Sequence, residues 1–149
     1  RIRCDMKREL ITFEVSGQLF GLDINAIREI RAWSPVTRVP GVPHYIAGMA
    51  NLRGAILPVV DLAARLGWER TVASERHAII VVDIAGQSAG LIVETVSDLV
   101  ELDDSALQHP PSLGEGGTGE SAFIEGLAPI GDRMVLVLAL DALGTKDLA

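Results

Sequence analysis

Side chains that could do bond-making chemistry are few in this chain, and they are scattered. His44, His77 and His109 could ligate zinc or carry protons, but they are far apart, with no His or Cys at metal-ligand spacing beside them. Surface or edge histidines are the better account. The run Gly114-Glu115-Gly116-Gly117-Thr118-Gly119 has the glycine content of a phosphate cradle. A phosphate-binding loop, however, opens a helix and carries Lys followed by Ser or Thr, whereas Gly119 runs into Glu120-Ser121-Ala122 and then a strand. That composition suits a flexible linker. Glu101, Asp103 and Asp104 could serve as acid and base, yet consecutive acids at a strand-to-helix junction are the make-up of a cap and a solvated face. Asp61, Asp98 and Asp141 have no pocket-forming cluster around them. Neither enzyme activity nor a metal or cofactor is expected.

Recognition chemistry is better provided for. Gly48-Met49-Ala50-Asn51-Leu52-Arg53-Gly54-Ala55-Ile56-Leu57-Pro58-Val59-Val60-Asp61-Leu62 consists of two apolar runs joined by a tight turn that presents one arginine. Buried strands give rigidity and a turn gives exposure, so Arg53 is placed to recognise something rather than to support a core. Glu29 and Arg53 are opposite charges among apolar neighbours (Ile27, Ile30, Leu52, Ile56), the composition of a contact patch with a polar rim. The plainer alternative is two ordinary surface charges. Ser97-Asp98, between Val96 and Leu99-Val100, either marks a bulge in a core strand or displays Val96 and Leu99 to a partner.

The elements that must position these residues are mostly strands. Apolar runs recur with turn punctuation in about nine or ten segments, the pattern of an all-β sandwich or barrel. Glu9 to Val15 and Gln18 to Ile24 predict a hairpin around Ser16-Gly17. Ile24, Ile27 and Ile30 fall at helical spacing, which leaves a short helix or one helical turn feeding a strand from Arg28 to Trp33. Pro35, Pro40 and Pro43 make Ser34 to His44 a connection along an edge. Strands resume at Tyr45 to Leu52 and Ala55 to Val60, after which Asp61 caps a helix over Leu62 to Leu66 that Gly67 ends. Arg76 to Ile84 and Ser88 to Val96 predict a second hairpin, with a further strand at Leu99 to Leu102. His109 to Gly119 reads as a mobile loop. Phe123 to Ile130 and Met134 to Leu140 form the last hairpin around Gly131-Asp132, before a turn at Asp141 to Gly144. No long repeat is legible, although the hairpin-rich halves are compatible with two similar barrels.

Size and charge narrow the class further. A chain of 149 residues can bury roughly 70% of its unfolded surface and needs no disulfide to hold a core. Hydrophobic residues make up 48% but aromatics only 4%, so β-branched and aliphatic side chains do the filling, which favours strands. The single Cys4 excludes a disulfide framework and fits a reducing cytosol. Its longest apolar run, Met134 to Leu140, is far short of the ~20 residues of a membrane helix. The N-terminus runs into Lys7-Arg8-Glu9 rather than an apolar stretch, so no signal peptide is expected. The lack of an initiator Met suggests truncation or an added tag. A net charge of −7 repels phosphate backbones and anionic membranes alike, which argues against nucleic acid and direct membrane insertion.

Taken in order, several of these segments carry a family resemblance. They are Phe20-Gly21-Leu22-Asp23-Ile24, Ile27-Arg28-Glu29-Ile30-Arg31, Val36-Thr37-Arg38-Val39, Gly48 with Asn51-Leu52-Arg53-Gly54, and Pro58-Val59-Val60-Asp61-Leu62. Gly90-Leu91-Ile92-Val93-Glu94-Thr95-Val96-Ser97-Asp98, Ile124-Glu125-Gly126 and Gly131-Asp132-Arg133-Met134 follow. Each is a weak motif alone, but their collinearity is specific. Together they resemble the CheW-like family, the coupling proteins that link bacterial chemoreceptors to the CheA histidine kinase. The departures are Glu94, where the family often has Asp, and the glycine-rich Gly114 to Gly119 loop.

The resemblance implies an all-β fold of two small five-stranded SH3-like barrel subdomains with few short helices. It places one CheW-like domain at 10–143 with both barrels sharing a core, between a flexible N-terminus at 1–9 and a tail at 144–149. No active site is implied. It implies a non-catalytic, cytoplasmic chemotaxis adaptor recruited to receptor arrays through its partners. One surface, comprising Ile27, Glu29, Arg31, Arg53 and Gly54 with Val96 and Leu99 alongside, would bind the chemoreceptor cytoplasmic tip. Another would bind the regulatory domain of a CheA-type histidine kinase through apolar edge strands whose residues the sequence does not identify. The same resemblance also fits a CheW-like module from a larger kinase or a CheV-type protein.

Overall fold

In the computed structural model, residues 7–72, 74–84, 86–108 and 123–140 are described. They form β1 (Lys7–Val15), β2 (Gln18–Asp23), β3 (Ile27–Ala32), β4 (Ile46–Leu52), β5 (Ala55–Asp61), α1 (Leu62–Arg65), β6 (Ala78–Ile84), β7 (Gln87–Val93), β8 (Thr95–Asp103), β9 (Ile124–Ile130) and β10 (Arg133–Leu138). The first sheet has the order β8-β1-β2-β10-β9 and the second β3-β6-β7-β5-β4, five strands each. After β3 and β8 the chain turns back to pair with the opposite margin of its own sheet, through bridges Thr37 to Met49 and Gln108 to Leu127. Each sheet is thereby curled into a small SH3-like barrel, the expected fold class.

The ambiguous isoleucines resolve as one helical turn feeding a strand. Ile24–Ala26 is a single 3-10 turn whose Asn25 N–H donates to the Asp23 carboxylate at 2.9 Å, and Ile27 opens β3. Asp61, almost fully buried, caps α1 by accepting from the Ala64 N–H, as the sequence led us to expect. Its other oxygen accepts from Thr71 N–H at 2.8 Å, which ties down the chain beyond the helix.

Two expectations about strand boundaries are corrected. The strand expected over Ser88 to Val96 ends at Val93, because Glu94 is where the chain leaves the second sheet for the first. The strand expected at Leu99 to Leu102 is part of the longer β8, Thr95–Asp103, and Ser97-Asp98 is the expected bulge inside it: pairing with β1 steps from Ile11–Leu99 to Phe13–Val96. The buried Thr12 hydroxyl satisfies the bulge, donating to the Asp98 carbonyl and accepting from the Asp98 N–H, both at 3.1 Å. β8 is an edge strand, not a core strand. The expected flexible segment 1–9 is strand from Lys7 onward. Residues 1–6, including Cys4, the His109 to Gly119 loop and everything from Asp141 onward lie outside the described residues.

The fold also contains a tandem repeat that the sequence reading missed. Strands β1 to β5 and β6 to β10 correspond one to one, since hairpin β1–β2 pairs as β6–β7 does and hairpin β4–β5 as β9–β10. The parallel pairs also match, Val137 with Gly21 and Val59 with Gly90. Each barrel takes two strands from one repeat and three from the other. Aligned through these pairings, Gly21 to Ile30 superposes without a gap on Gly90 to Leu99, and Gly48 to Leu62 on Gly126 to Leu140. Gly48 and Gly126 are retained because the bridging segment passes so close: a Cβ would lie 2.5 Å from the Thr37 carbonyl oxygen and 2.9 Å from that of Gln108.

Between the barrels lies a shared apolar core that includes Phe13, Phe20 and Leu22 from the first sheet and Ile80, Val82 and Leu91 from the second. Phe13 and Phe20 stack with centroids 5.9 Å apart, and Trp68 covers Phe20 at 5.8 Å. Each barrel has its own smaller core as well, around Leu10, Val135 and Val137 in the first and Leu57, Val59 and Ile79 in the second.

Candidate protein-docking site

Arg53 and Gly54 form the whole turn between β4 and β5, with φ of +58° and +85°. A two-residue hairpin turn with both φ positive follows the twist of its strands, and Asn51 Oδ1 secures it by accepting from the Gly54 N–H at 3.0 Å. Holding a side-chain-bearing residue left-handed costs about 1–2 kcal/mol, so arginine is here despite the local backbone preference. The gain is presentation. Arg53 is 76% exposed, and its Nη2 sits 3.0 Å from Glu29 Oε1.

Glu29 lies on β3, at the opposite end of the sheet order from β4, so the ion pair spans the two margins of the curled sheet. Its second oxygen, Oε2, accepts from Arg31 Nη1 at 3.0 Å. One carboxylate thus orients two guanidiniums. Exposed pairs of this kind contribute about 0–1 kcal/mol to stability, too little to account for the strained turn. A shallow groove of ≈ 430 Å³ runs beside the pair, lined by Arg28, Glu29, Leu52, Arg53, Ile56 and Val81 among others. Ile56 is 71% exposed there, an apolar side chain of the kind a docking partner covers. Beside it Arg28 donates to Asp83, a hydrogen bond that raises the guanidinium pKa and lowers that of the carboxyl from their ordinary values.

The expected site residues divide into two groups. Glu29, Arg31 and Arg53 are brought together, and Gly54 completes the turn that displays them. Ile27 is half-buried and packs against the shared core, as does Val96. Val96 and Leu99 do not line the Glu29–Arg53 groove. They lie on β8 at the positions equivalent to Ile27 and Ile30, beside the same bulge, with Leu99 53% exposed. Ile56 and Leu52, expected as apolar neighbours of the charged pair, line the groove beside it, whereas Arg28 and Asp83 were missed as site members.

Among the described residues, no group of three or more His, Cys, Asp or Glu side chains is placed to hold a metal ion. No described helix is long and apolar enough to cross a membrane. Paired SH3-like barrels with a charged, apolar-flanked groove on one of them define a class of protein-docking modules. Residues 9–147 match the CheW-like domain family. The chain is 42% identical over 135 residues to "Chemotaxis protein CheW" of Rhizobium meliloti (strain 1021), covering 91% of this chain and 86% of that protein. It is 41% identical over 136 residues to "Probable chemotaxis protein CheW" of Rhizobium etli, with the same coverage. The crystal structure of scaffolding protein TtCheW from Thermoanaerobacter tengcongensis superposes with a TM-score of 0.83 at 35% identity, covering 96% of this chain and 91% of that one. This chain belongs to the CheW-like family of chemotaxis coupling proteins.

Proposed function

We propose that this chain is a non-catalytic adaptor of chemotaxis signalling. In this reading it holds the cytoplasmic tip of a chemoreceptor and the regulatory domain of a CheA-type histidine kinase in a fixed mutual orientation, in the cytoplasm beneath receptor arrays. Residues 10–143 are its working domain. The receptor surface is the Arg53 turn with Glu29, Arg31, Gly54 and the adjoining Ile56, and Ile27, Val96 and Leu99 extend it along the barrels. The observation that carries the reading is the display of Arg53: a strained turn and a carboxylate bridge hold an exposed guanidinium beside an exposed isoleucine. Rigid placement limits the ordering cost of association. Burying roughly 800 Å² per partner is ordinary for a specific complex. A receptor signal passes through such a connector if the signalling states differ in contact free energy with it.

The test is binding of a receptor-tip fragment by purified Arg53→Glu and Glu29→Arg variants whose circular dichroism matches wild type. Loss of binding in both supports the assigned surface. Affinity within error of wild type in both variants rejects it.

A further inference from the structure

We infer that Glu94 is a positioning residue that locks the angle between the two barrels. It is the single residue between β7 of the second sheet and β8 of the first, so any change of orientation must be absorbed at it or at the β2-to-β3 turn. Its backbone N–H donates to the Glu14 carbonyl at 2.8 Å. Its carboxylate reaches the β1–β2 turn and accepts from the N–H groups of Ser16 at 2.9 Å and Gly17 at 3.4 Å. Ser16 and Gly17 both have positive φ, +52° and +80°, which aims successive N–H groups at one anion. The shared core resists separation of the barrels and its packing favours one arrangement, but apolar burial itself is non-directional. Charge-assisted hydrogen bonds add direction: they fix the crossover residue to the β1–β2 turn of the first barrel, one step after the chain leaves β7 of the second. At the equivalent crossover of the other repeat the position is Asn25, which carries no charge. The clamp is therefore built on one side of the pseudo-symmetric pair.

The consequence for function rests on the adaptor reading: a connector with a slack joint still binds each partner but transmits less between them. The experiment has two arms. In a Cys4→Ser background, spin labels at Ala32 on β3 and Glu101 on β8, both exposed and at equivalent positions of the two barrels, report the inter-barrel distance. Glu94→Ala is expected to broaden that distribution and Glu94→Gln, which keeps one acceptor oxygen, to broaden it less. An unchanged distribution in both folded variants overturns the clamp, whatever the partners are. In the second arm, unlabelled Glu94→Ala is expected to bind receptor tip and kinase regulatory domain separately within about twofold of wild type. Receptor-dependent kinase activation in the ternary mixture is expected to fall about fivefold or more. Undiminished activation alongside a broadened distribution overturns the positioning role. Failure of wild-type protein to bind either partner rejects the adaptor reading and leaves the distance measurement to decide the clamp.

Discussion

Glu29 and Asp98 occupy the same bulge on equivalent strands, Glu29 opposite Val81 and Asp98 bonded through its backbone to Thr12, and the Glu29 carboxylate reaches the β4–β5 turn. Arg53 stands at the tip that meets Glu29, whereas the equivalent tip residue in the other barrel is Gly131. Two barrels of one architecture therefore present different side chains at the equivalent tip. Glu29→Arg and Arg53→Glu are each expected to weaken receptor-tip binding about tenfold or more, ~1.4 kcal/mol. The double charge swap is expected to recover part of it, because the pair is re-formed with inverted polarity. Isothermal titration of the four proteins checks both effects.

Much of this arrangement was legible in the residues, for definite physical reasons. Turn glycines and alternating apolar runs located most strands, and Asp61 announced its own helix. Arg53 was legible because a charged residue between two apolar runs has nowhere to go but the tip. The Glu29–Arg53 pairing was suggested by charge and composition but needed the curl of the sheet to become a contact. The repeat was hidden because barrels of one shape are filled by different apolar residues: Leu10 and Ile79 are equivalent, as are Phe20 and Ala89. The Glu94 clamp was unreadable, since nothing local links Glu94 to a turn formed by Ser16 and Gly17.

The strain at Arg53 is separable from its chemistry. Asparagine tolerates left-handed φ better than arginine, so Arg53→Asn is expected to stabilise the fold by about 0.5–1 kcal/mol. That corresponds to a rise in Tm of about 2 °C for a chain of this size. Receptor-tip binding is expected to fall in the same variant. A thermal melt and a titration on one preparation test the opposed effects, and a lower Tm would show that the Glu29 ion pair outweighs the backbone strain.

Gly48 admits no side chain, because the atom 2.5 Å from an added Cβ belongs to the Thr37 backbone and cannot rotate away. Gly48→Ala is expected to cost about 1–3 kcal/mol in urea unfolding, the range of overpacked sites. Gly17→Ala meets no atom within 4 Å and is penalised only through its φ of +80°. It is expected to cost less, about 1 kcal/mol.

Asp83 supplies a pH signature. The hydrogen bond from Arg28 lowers its pKa in the folded state, so this pair stabilises the fold above the unfolded carboxyl pKa. The contribution is lost as pH falls through the folded value. Arg28, whose pKa is raised, stays charged throughout the accessible range. Carboxyl carbon NMR is expected to show Asp83 titrating below its ordinary value, and Arg28→Ala to move the midpoint upward. An unmoved midpoint would mean the pair does not persist in solution.

The shared core makes unfolding a joint event. Phe20 is fully buried, stacks on Phe13 from its own sheet and lies under Trp68, which follows α1. Its removal opens a cavity between the barrels rather than inside one. Phe20→Ala is expected to cost about 3–5 kcal/mol. Because each barrel borrows strands from both repeats, neither can keep its structure once the seam loosens. Amide signals of Ile79 in the second barrel and Val135 in the first, both fully buried, should therefore vanish at one common temperature, lowered equally by the substitution. Two separate transitions in the variant would show that the barrels hold their own cores independently of the seam.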